Sequence, residues 1–307
     1  MPLPTMNLMH KRSIFVVLNP TAGRGRAAQK IPVIQAMLRD AGLDFVLVLS
    51  TAQSDMERRI CEAVEAGATR VIVGGGDGSI HEACNGILRA GGGAGLGIIP
   101  IGTGNDFIKG AGIPLDWRKA TAALIDRIQQ GTPARAIDAG RMNDRYFANG
   151  AGIGFDAKIN RLSQNIRLKI GGIVYLIGVV KGLIDGVITP DVKMIYSGGE
   201  YSGPVTLANV SNGPWVGGLF NIAPMANNAD GELDLIFADP LTRLQVIPLV
   251  PKIMRGTHVN TPVVHHRRIR HITIEASAPV PAHMDGEVVP MGTHFEIEVL
   301  PAALRLL

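Results

Sequence analysis

The sequence predicts an N-terminal parallel α/β domain followed by an antiparallel β domain, on three observations. Short apolar runs alternate with amphipathic segments through roughly the first 130 residues. Three glycine-rich turns fall at the ends of those runs. From about Ala136 the rhythm changes to short strands separated by Gly, Asn and Pro.

Residues 13–18 read as a strand and 27–41 as a helix closed by Gly42. Residues 44–49 follow as a strand, 54–66 as a helix closed by Gly67, 70–73 as a strand, 80–90 as a helix and 96–100 as a strand. This alternation makes βαβ units and a parallel sheet covered by helices on both faces. Ligands of such sheets sit beyond the carboxyl ends of the strands, so the turns after Leu18, Val73 and Ile99 are expected to form one site. In the second half, 141–146 reads as a hairpin turning at Asn143-Asp144. An apolar helix is expected over 169–185, and strands over 192–197, 203–210, 233–238, 270–276 and 295–300, the spacing of a sandwich or barrel. A helix over 241–254 must kink or split at Pro248 and Pro251. Two domains are therefore expected, 1–137 and 138–307, with a cleft between them and a last strand able to pack back on the first domain.

At 307 residues the chain can bury a sizeable core. It is 46% hydrophobic and 18% charged, with a mean hydropathy of +0.21. No stretch approaches the roughly 18 uncharged apolar residues needed to span a bilayer. The nearest, 170–184, is short and carries Lys181. Lys11 and Arg12 precede an apolar run as in a signal peptide, but that run ends at Asn19-Pro20 with no small-residue cleavage pattern. These features fit a cytoplasmic protein that handles something greasy. Cys61 and Cys84 make neither a disulfide framework nor a metal knuckle, so they read as buried small hydrophobes in a reducing compartment. The net charge of +4 does not choose among nucleotide, anionic lipid and nucleic acid. The basic run 265–271 has two readings, a solvated strand edge or loop and a contact for acidic lipid headgroups.

The first loop, Asn19-Pro20-Thr21-Ala22-Gly23-Arg24-Gly25, has glycines that let backbone approach a phosphate at a helix start, but it lacks a P-loop ending. The second, Gly74-Gly75-Gly76-Asp77-Gly78-Ser79, is more specific. Its glycines clear space for a triphosphate and the helix behind it supplies N–H donors. Asp77 among phosphates calls for an intervening cation or for a role in orienting an attacking hydroxyl. The third loop, Pro100-Ile101-Gly102-Thr103-Gly104-Asn105-Asp106-Phe107, repeats the theme with a hydroxyl, an amide and a carboxylate. Near the end, Asp285-Gly286-Glu287 offers two carboxylates around a glycine. It is either a plain hairpin turn or the source of the base that phosphoryl transfer to a hydroxyl requires.

A Gly-Gly-Asp-Gly-Ser turn followed by Pro-Ile-Gly-Thr-Gly-Asn-Asp-Phe resembles the diacylglycerol kinase catalytic family, which joins bacterial lipid kinases with sphingosine and ceramide kinases. The likeness covers nearly the whole chain, from Asn19-Pro20 to Asp285-Gly286-Glu287. It implies an N-terminal domain with the NAD kinase and 6-phosphofructokinase fold and a C-terminal antiparallel β-sandwich that binds lipid. It implies ATP as phosphate donor, held by Asn19, Pro20, Thr21, Ala22, Gly23, Thr51, Gly75, Gly76, Asp77, Gly78, Ser79, Ile80, His81, Thr103, Asn105 and Asp106. Asp285 and Glu287 would supply the general base, with Asp77 completing the catalytic set. Asn227, Asp230 and Glu232 fall where bacterial members hold a structural Mg²⁺, partly through main-chain oxygens. Departures are Ser79 for Thr, His81 for Asn, and Gly104 for the Ala of many bacterial members. The last gives the form of sphingosine and ceramide kinases.

The function expected is transfer of the γ-phosphate of ATP to a lipid hydroxyl by a cytoplasmic protein that touches the membrane surface, binds no nucleic acid and can form a homodimer. The apolar segment 169–185 would be buried or border a lipid pocket, which Trp215, Leu219 and Phe220 would line unless they pack the sandwich. An NAD kinase shares the Gly-Gly-Asp-Gly turn, but the third loop, the greasy helix and the terminal Asp-Gly-Glu stand against it. A non-catalytic nucleotide or lipid sensor has no need of Asp77, Asp106, Asp285 and Glu287 together.

Overall fold

Branched apolar runs form four parallel strands at the start of the chain: β1 (Ile14–Leu18), β2 (Phe45–Leu49), β3 (Arg70–Gly75) and β4 (Gly95–Pro100). They belong to a computed structural model that describes residues 13–164, 166 and 172–307. Lys11, Arg12 and the start of the apolar segment, Lys169 and Ile170, lie outside the described residues. The described residues up to Ile137, together with Ala302–Leu307, make one compact unit, and Asp138–Pro301 make a second.

In the first unit the strand order is β2-β1-β3-β4, and Arg305 and Leu306 pair in parallel with Gly95 and Leu96 beyond β4. Every residue of β1 and β4 is buried, as a sheet covered on both faces requires. The helices are α1 (Ala27–Asp40), α2 (Asp55–Glu65), α3 (Asp77–Arg89), α4 (Asp106–Ala111) and α5 (Trp117–Gln129). Ile34 and Leu38 of α1 and Leu124 of α5 pack with Val16, Leu18, Ile72 and Ile99 of the sheet. The chain leaves β1 toward β2 on one side and returns to β3 on the other. The winding reverses between β1 and β3, and the crevice beyond their carboxyl ends is where such sheets take ligands.

The second unit is reached through β5 (Arg135–Met142), which turns at Asn143 and Asp144 into β6 (Arg145–Phe147), the hairpin expected from sequence. After β7 (Gly150–Gly154) come two helices, α6 (Phe155–Gln164) and α7 (Ile173–Asp185). Strands β8 (Asp191–Tyr196), β9 (Gly199–Pro204), β10 (Leu207–Ser211), β11 (Trp215–Val216), β12 (Phe220–Asn221) and β13 (Leu233–Ala238) follow. The expected single strand over 203–210 is two. Val205 donates its N–H to Pro190 and Thr206 donates to Ala238, so the chain changes partners between them. The proline-bearing segment splits as expected, into α8 (Arg243–Val246), a 3₁₀ turn at Ile247–Leu249, and α9 (Val250–Met254).

The unit closes with β14 (Val264–Ile269), β15 (His271–Met284) and β16 (Glu287–Leu306). Its antiparallel order is β14-β13-β10-β7-β15-β16, with β8 also on β15. β15 is twice the length read from sequence. It pairs with β8 at 272–276 and with β7 at 282–284, and its register with β16 slips on both sides of Val280. Pro279 and Pro281 have no N–H to give a ladder, so the pairing is interrupted there, between the stretch on β8 and the stretch on β7. Met194, Val210, Leu235, Phe237, Ile274 and Phe295 are among the residues that fill the space between the layers.

Candidate functional site

The loops after β1, β3 and β4 meet through their backbones. Asn19 donates its N–H to the Gly74 carbonyl at 2.9 Å, and Ile101 and Gly102 both donate to the Gly75 carbonyl. A Cβ built on Gly102 would lie 2.2 Å from the Gly76 Cα, and one on Gly23 would lie 2.6 Å from the Ile101 carbonyl oxygen. Only glycine permits these approaches. The Asn19 side chain is used at both ends. Its Oδ1 accepts from the Thr21 N–H and hydroxyl, and its Nδ2 donates to Ser79 Oγ at 3.3 Å. Gly76 is extended and α3 starts at Asp77, which directs the N–H groups of the helix's first turn toward the loops.

Asp77 has a role that the sequence reading did not foresee. Its Oδ1 accepts the N–H groups of Asp106 (2.7 Å) and Phe107 (3.2 Å), so it caps α4 and ties the second loop to the third. Its Oδ2 lies toward Gly104, where an added Cβ would come within 2.7 Å of it. Asp106 is itself buried and paired with Lys109 at 3.3 Å, Asn105 sits at φ +56°, and Thr103 is exposed. Thr51 is exposed after β2 and donates both its N–H and its hydroxyl to Asp55. Burial pushes the Asp55 carboxyl up, but Arg59, Thr51 and Arg58 outweigh it and hold it at about 2. The His81 ring is buried with Nε2 3.5 Å from Asn85 Nδ2, and Ile80 already donates its N–H to Gly76.

In the second unit Asp285-Gly286 is the turn of the β15–β16 hairpin. Both residues have positive φ, +51° and +87°, the two-residue turn for which Asp-Gly is suited. The Asp285 carboxylate accepts three backbone N–H groups, from Ala148 (2.9 Å), Asn149 (2.8 Å) and Gly150 (3.0 Å), while its own N–H donates to the Gly150 carbonyl. The turn is thus clamped to the connection between β6 and β7. Glu287 follows as the half-buried first residue of β16. Behind the turn, Asn160 and Gln164 of α6 donate to the Gly286 carbonyl at 2.7 and 2.9 Å. His283 Nε2 lies 3.0 Å from Asp156 Oδ2, and Tyr175 and Asn209 donate to the same carboxylate. Asp156, Asn160 and Asn209 carry no expectation from sequence. The signal available was the polar repeat at 156, 160 and 164, one face of a helix, directly after a glycine-rich strand.

The expected cation segment is not assembled from side chains. Asn227 Oδ1 accepts the Ala229 N–H, Asp230 and Glu232 both pair with Arg268, and Asp138 Oδ2 takes the Gly231 N–H. Among the described residues no three His, Cys, Asp or Glu side chains converge to hold a metal. Asp230 and Glu232 converge on the exposed Arg268 guanidinium, and a cation held there would draw on them, on Asn227 and on main-chain oxygens. Part of the basic run is paired in the same way. His265 meets Asp239, His266 meets Asp234, Arg268 meets Asp230 and Glu232, and His271 meets Glu296. Burial raises the Asp234 carboxyl against the pull of His266. The run lies mostly on the edge strand β14, where His265, His266 and Arg268 face carboxylates while Arg267 and Arg270 are exposed.

Beside the Asp156 cluster lies a narrow apolar cavity of about 70 Å³, walled by Phe155, Ile159, Tyr175, Val179, Phe220 and Leu249 among others. Of the three residues expected at a lipid pocket, Phe220 lines it and Leu219 packs against the surrounding cluster. Trp215 accepts from Asn149 through its carbonyl. No helix among the described residues is long and apolar enough to cross a membrane.

Comparison with known proteins agrees across both units. Residues 13–141 match the diacylglycerol kinase catalytic domain, and 150–307 match the YegS C-terminal NAD kinase beta sandwich-like domain. A diacylglycerol kinase of Mycobacterium tuberculosis is 31% identical over 300 residues, covering 96% of this chain and 94% of its own. A diacylglycerol kinase of Bacillus subtilis is 28% identical over 279 residues, covering 89% and 88%. The crystal structure of a diacylglycerol kinase from Bacillus anthracis shares the fold over 96% of each chain, at a TM-score of 0.71 and 22% identity.

Proposed function

Because the chain belongs to the diacylglycerol kinase catalytic family, we propose that it transfers the γ-phosphate of ATP to the hydroxyl of a lipid. The observation that carries the reading is Asp77. It bridges the glycine loops after β3 and β4, whose backbones touch beside the switch point between β1 and β3, the place where such a fold takes a nucleotide. Asn19, Thr21, Gly23, Gly75, Gly76, Gly78, Ser79 and Thr103 would surround the phosphates, with donors from the start of α3. Magnesium enters as the counter-ion of the nucleotide substrate, and no step is assigned to residues 227–232.

In this reaction the lipid hydroxyl loses its proton as its oxygen attacks the γ-phosphorus, the bond to the β-phosphate oxygen breaks, and ADP leaves. Glu287 is the proposed proton acceptor. Asp285 already receives three backbone N–H groups, which suits it to holding the turn. The mainly apolar lining of the cavity, with Asp156, Thr206 and His258 as its polar members, supports an acceptor with a hydrocarbon part, of which about 70 Å³ takes only a short length. Exposed apolar side chains support contact of a cytoplasmic protein with the membrane surface. Ile184 at the end of α7 is 69% exposed and Leu244 at the start of α8 is 80% exposed.

Labelled ATP offered with diacylglycerol, sphingoid bases, ceramide, phosphatidylglycerol or NAD tests the proposal. Label is expected in one or more lipids in mixed micelles. Label appearing only in NADP, or in no lipid, would overturn it.

A further inference from the structure

The Asp285–Gly286 turn is gripped from behind by a buried polar cluster that the proposed reaction does not use. Asp156 is buried, yet it is surrounded by donors: Tyr175 Oη, Asn209 Nδ2 at 3.1 Å and His283 Nε2 at 3.0 Å. Ser211 in turn donates to Asn209 Oδ1, which fixes the amide with its nitrogen toward Asp156. Burial favours the neutral acid, but His283, Tyr175 and Asn209 hold the carboxyl below the usual carboxylate range. His283 is equally constrained. Its Nδ1 accepts the Gly286 N–H at 3.4 Å, so the ring proton sits on Nε2 and is given to Asp156.

Gly286 is therefore fixed on both sides. Its N–H meets His283, and its carbonyl receives Asn160 and Gln164. That carbonyl belongs to the peptide leading into Glu287, so the direction in which Glu287 leaves the backbone is set by two residues of α6 and by His283 of β15, which Asp156 of α6 holds in turn. A buried ionised side chain adds little net stability compared with a well-packed apolar one. What it gives here is a defined tautomer of His283 and a defined turn.

We propose that Asp156 and His283 form a positioning pair that orients the Glu287-bearing turn, with Tyr175 fastening the pair to the wall of the apolar cavity. The proposal rests on the kinase reading for its catalytic consequence but not for its structural one. Phosphoryl transfer is sensitive to placement, and a misplacement of about 1 Å can cost on the order of 100-fold. Tyr175 both lines the cavity and donates to Asp156, so cavity and turn share one chain of hydrogen bonds.

The test pairs kinetics with hydrogen exchange on the full chain. His283→Ala is expected to lower kcat about 100-fold with KM for ATP unchanged. His283→Asn, whose Oδ1 can take the place of Nδ1, is expected to recover much of that loss. Amide exchange of the peptide containing Gly286 should quicken at least about 10-fold in His283→Ala and in Asp156→Asn. If either fails to fold, Tyr175→Phe, which removes one hydroxyl, should show the same changes at a few-fold size. Wild-type kcat in folded His283→Ala, or no recovery in His283→Asn, overturns the positioning role. Should the wild type phosphorylate no lipid, the kinase reading falls and exchange at Gly286 decides this inference alone. Quickened exchange supports it and unchanged exchange overturns it.

Discussion

The glycine loops of the first unit meet backbone to backbone, whereas the acidic turn of the second is held through side chains, its own Asp285 carboxylate and those of His283, Asn160 and Gln164. In the first, Gly76 and Gly102 meet Cα to Cα, and the contacts run between three consecutive strand ends. In the second, apart from His283, the partners of residues 285 and 286 lie more than 100 positions away, at Ala148, Asn149, Gly150, Asn160 and Gln164. A site made of backbone tolerates few residue types at each position and leaves a compact motif. A site made of side chains spreads its signature over several elements. Substitutions should therefore fail differently in the two places.

The largest effect is expected at Asp77. Asp77→Ala removes the acceptor for the Asp106 and Phe107 N–H groups and releases the third loop from the second. Transfer from labelled ATP should fall by more than about 100-fold, while unfolding shows only the roughly 0.5–2 kcal/mol loss typical of a helix cap. Wild-type transfer in a folded Asp77→Ala would break the comparison on its first side.

Asp285→Ala should be the reverse, chiefly a loss of stability. It leaves three backbone donors without their acceptor, and urea unfolding should show a loss of about 3 kcal/mol. Full stability would mean the clamp contributes nothing. Gly102→Ala sets backbone against backbone at 2.2 Å, so one loop must move. The expected outcome is a rise of about 10-fold or more in KM for ATP, equivalent to roughly 1.4 kcal/mol, with the second unit's hydrogen exchange unchanged. An unaltered KM would show that the close approach has no bearing on nucleotide.

The smallest effect concerns pH. Asp55 is held at about 2 by Arg59, Thr51 and Arg58 against the pull of burial, below its ordinary value of 3.8. A depressed carboxyl stabilises the fold fully above the unfolded value near 3.8, and that contribution is lost as pH falls toward 2. After solvent screening it amounts to about 1 kcal/mol. Asp55→Asn should remove this part of the acid dependence and leave stability at pH 7 lower by a similar amount.

Much of the first unit and part of the second were legible because their signals are local. Glycines that ended apolar runs marked the loops, and Pro248 and Pro251 marked the split helix. The Asn143-Asp144 turn was visible for the same reason. What stayed hidden depends on pairing at a distance. The length of β15 is set by two different partners, β8 and β7, and the interruption in its pairing by Pro279 and Pro281 between them. The basic run 265–271 left two readings open, a solvated edge and an anion contact, because its carboxylate partners at 230, 232, 234, 239 and 296 come from other strands. The polar face of α6 was missed because helix and strand meet only in the fold.

The most direct test of the division between the two regions is Glu287→Gln, measured for ATP binding by titration and for phosphate transfer to lipid in the same preparation. ATP affinity should match the wild type, because the glycine loops and Asp77 lie within the first unit, while transfer falls by about 100-fold or more for want of a proton acceptor. Transfer at the wild-type rate would contradict the assignment of Glu287, and a parallel loss of ATP binding would contradict the division itself.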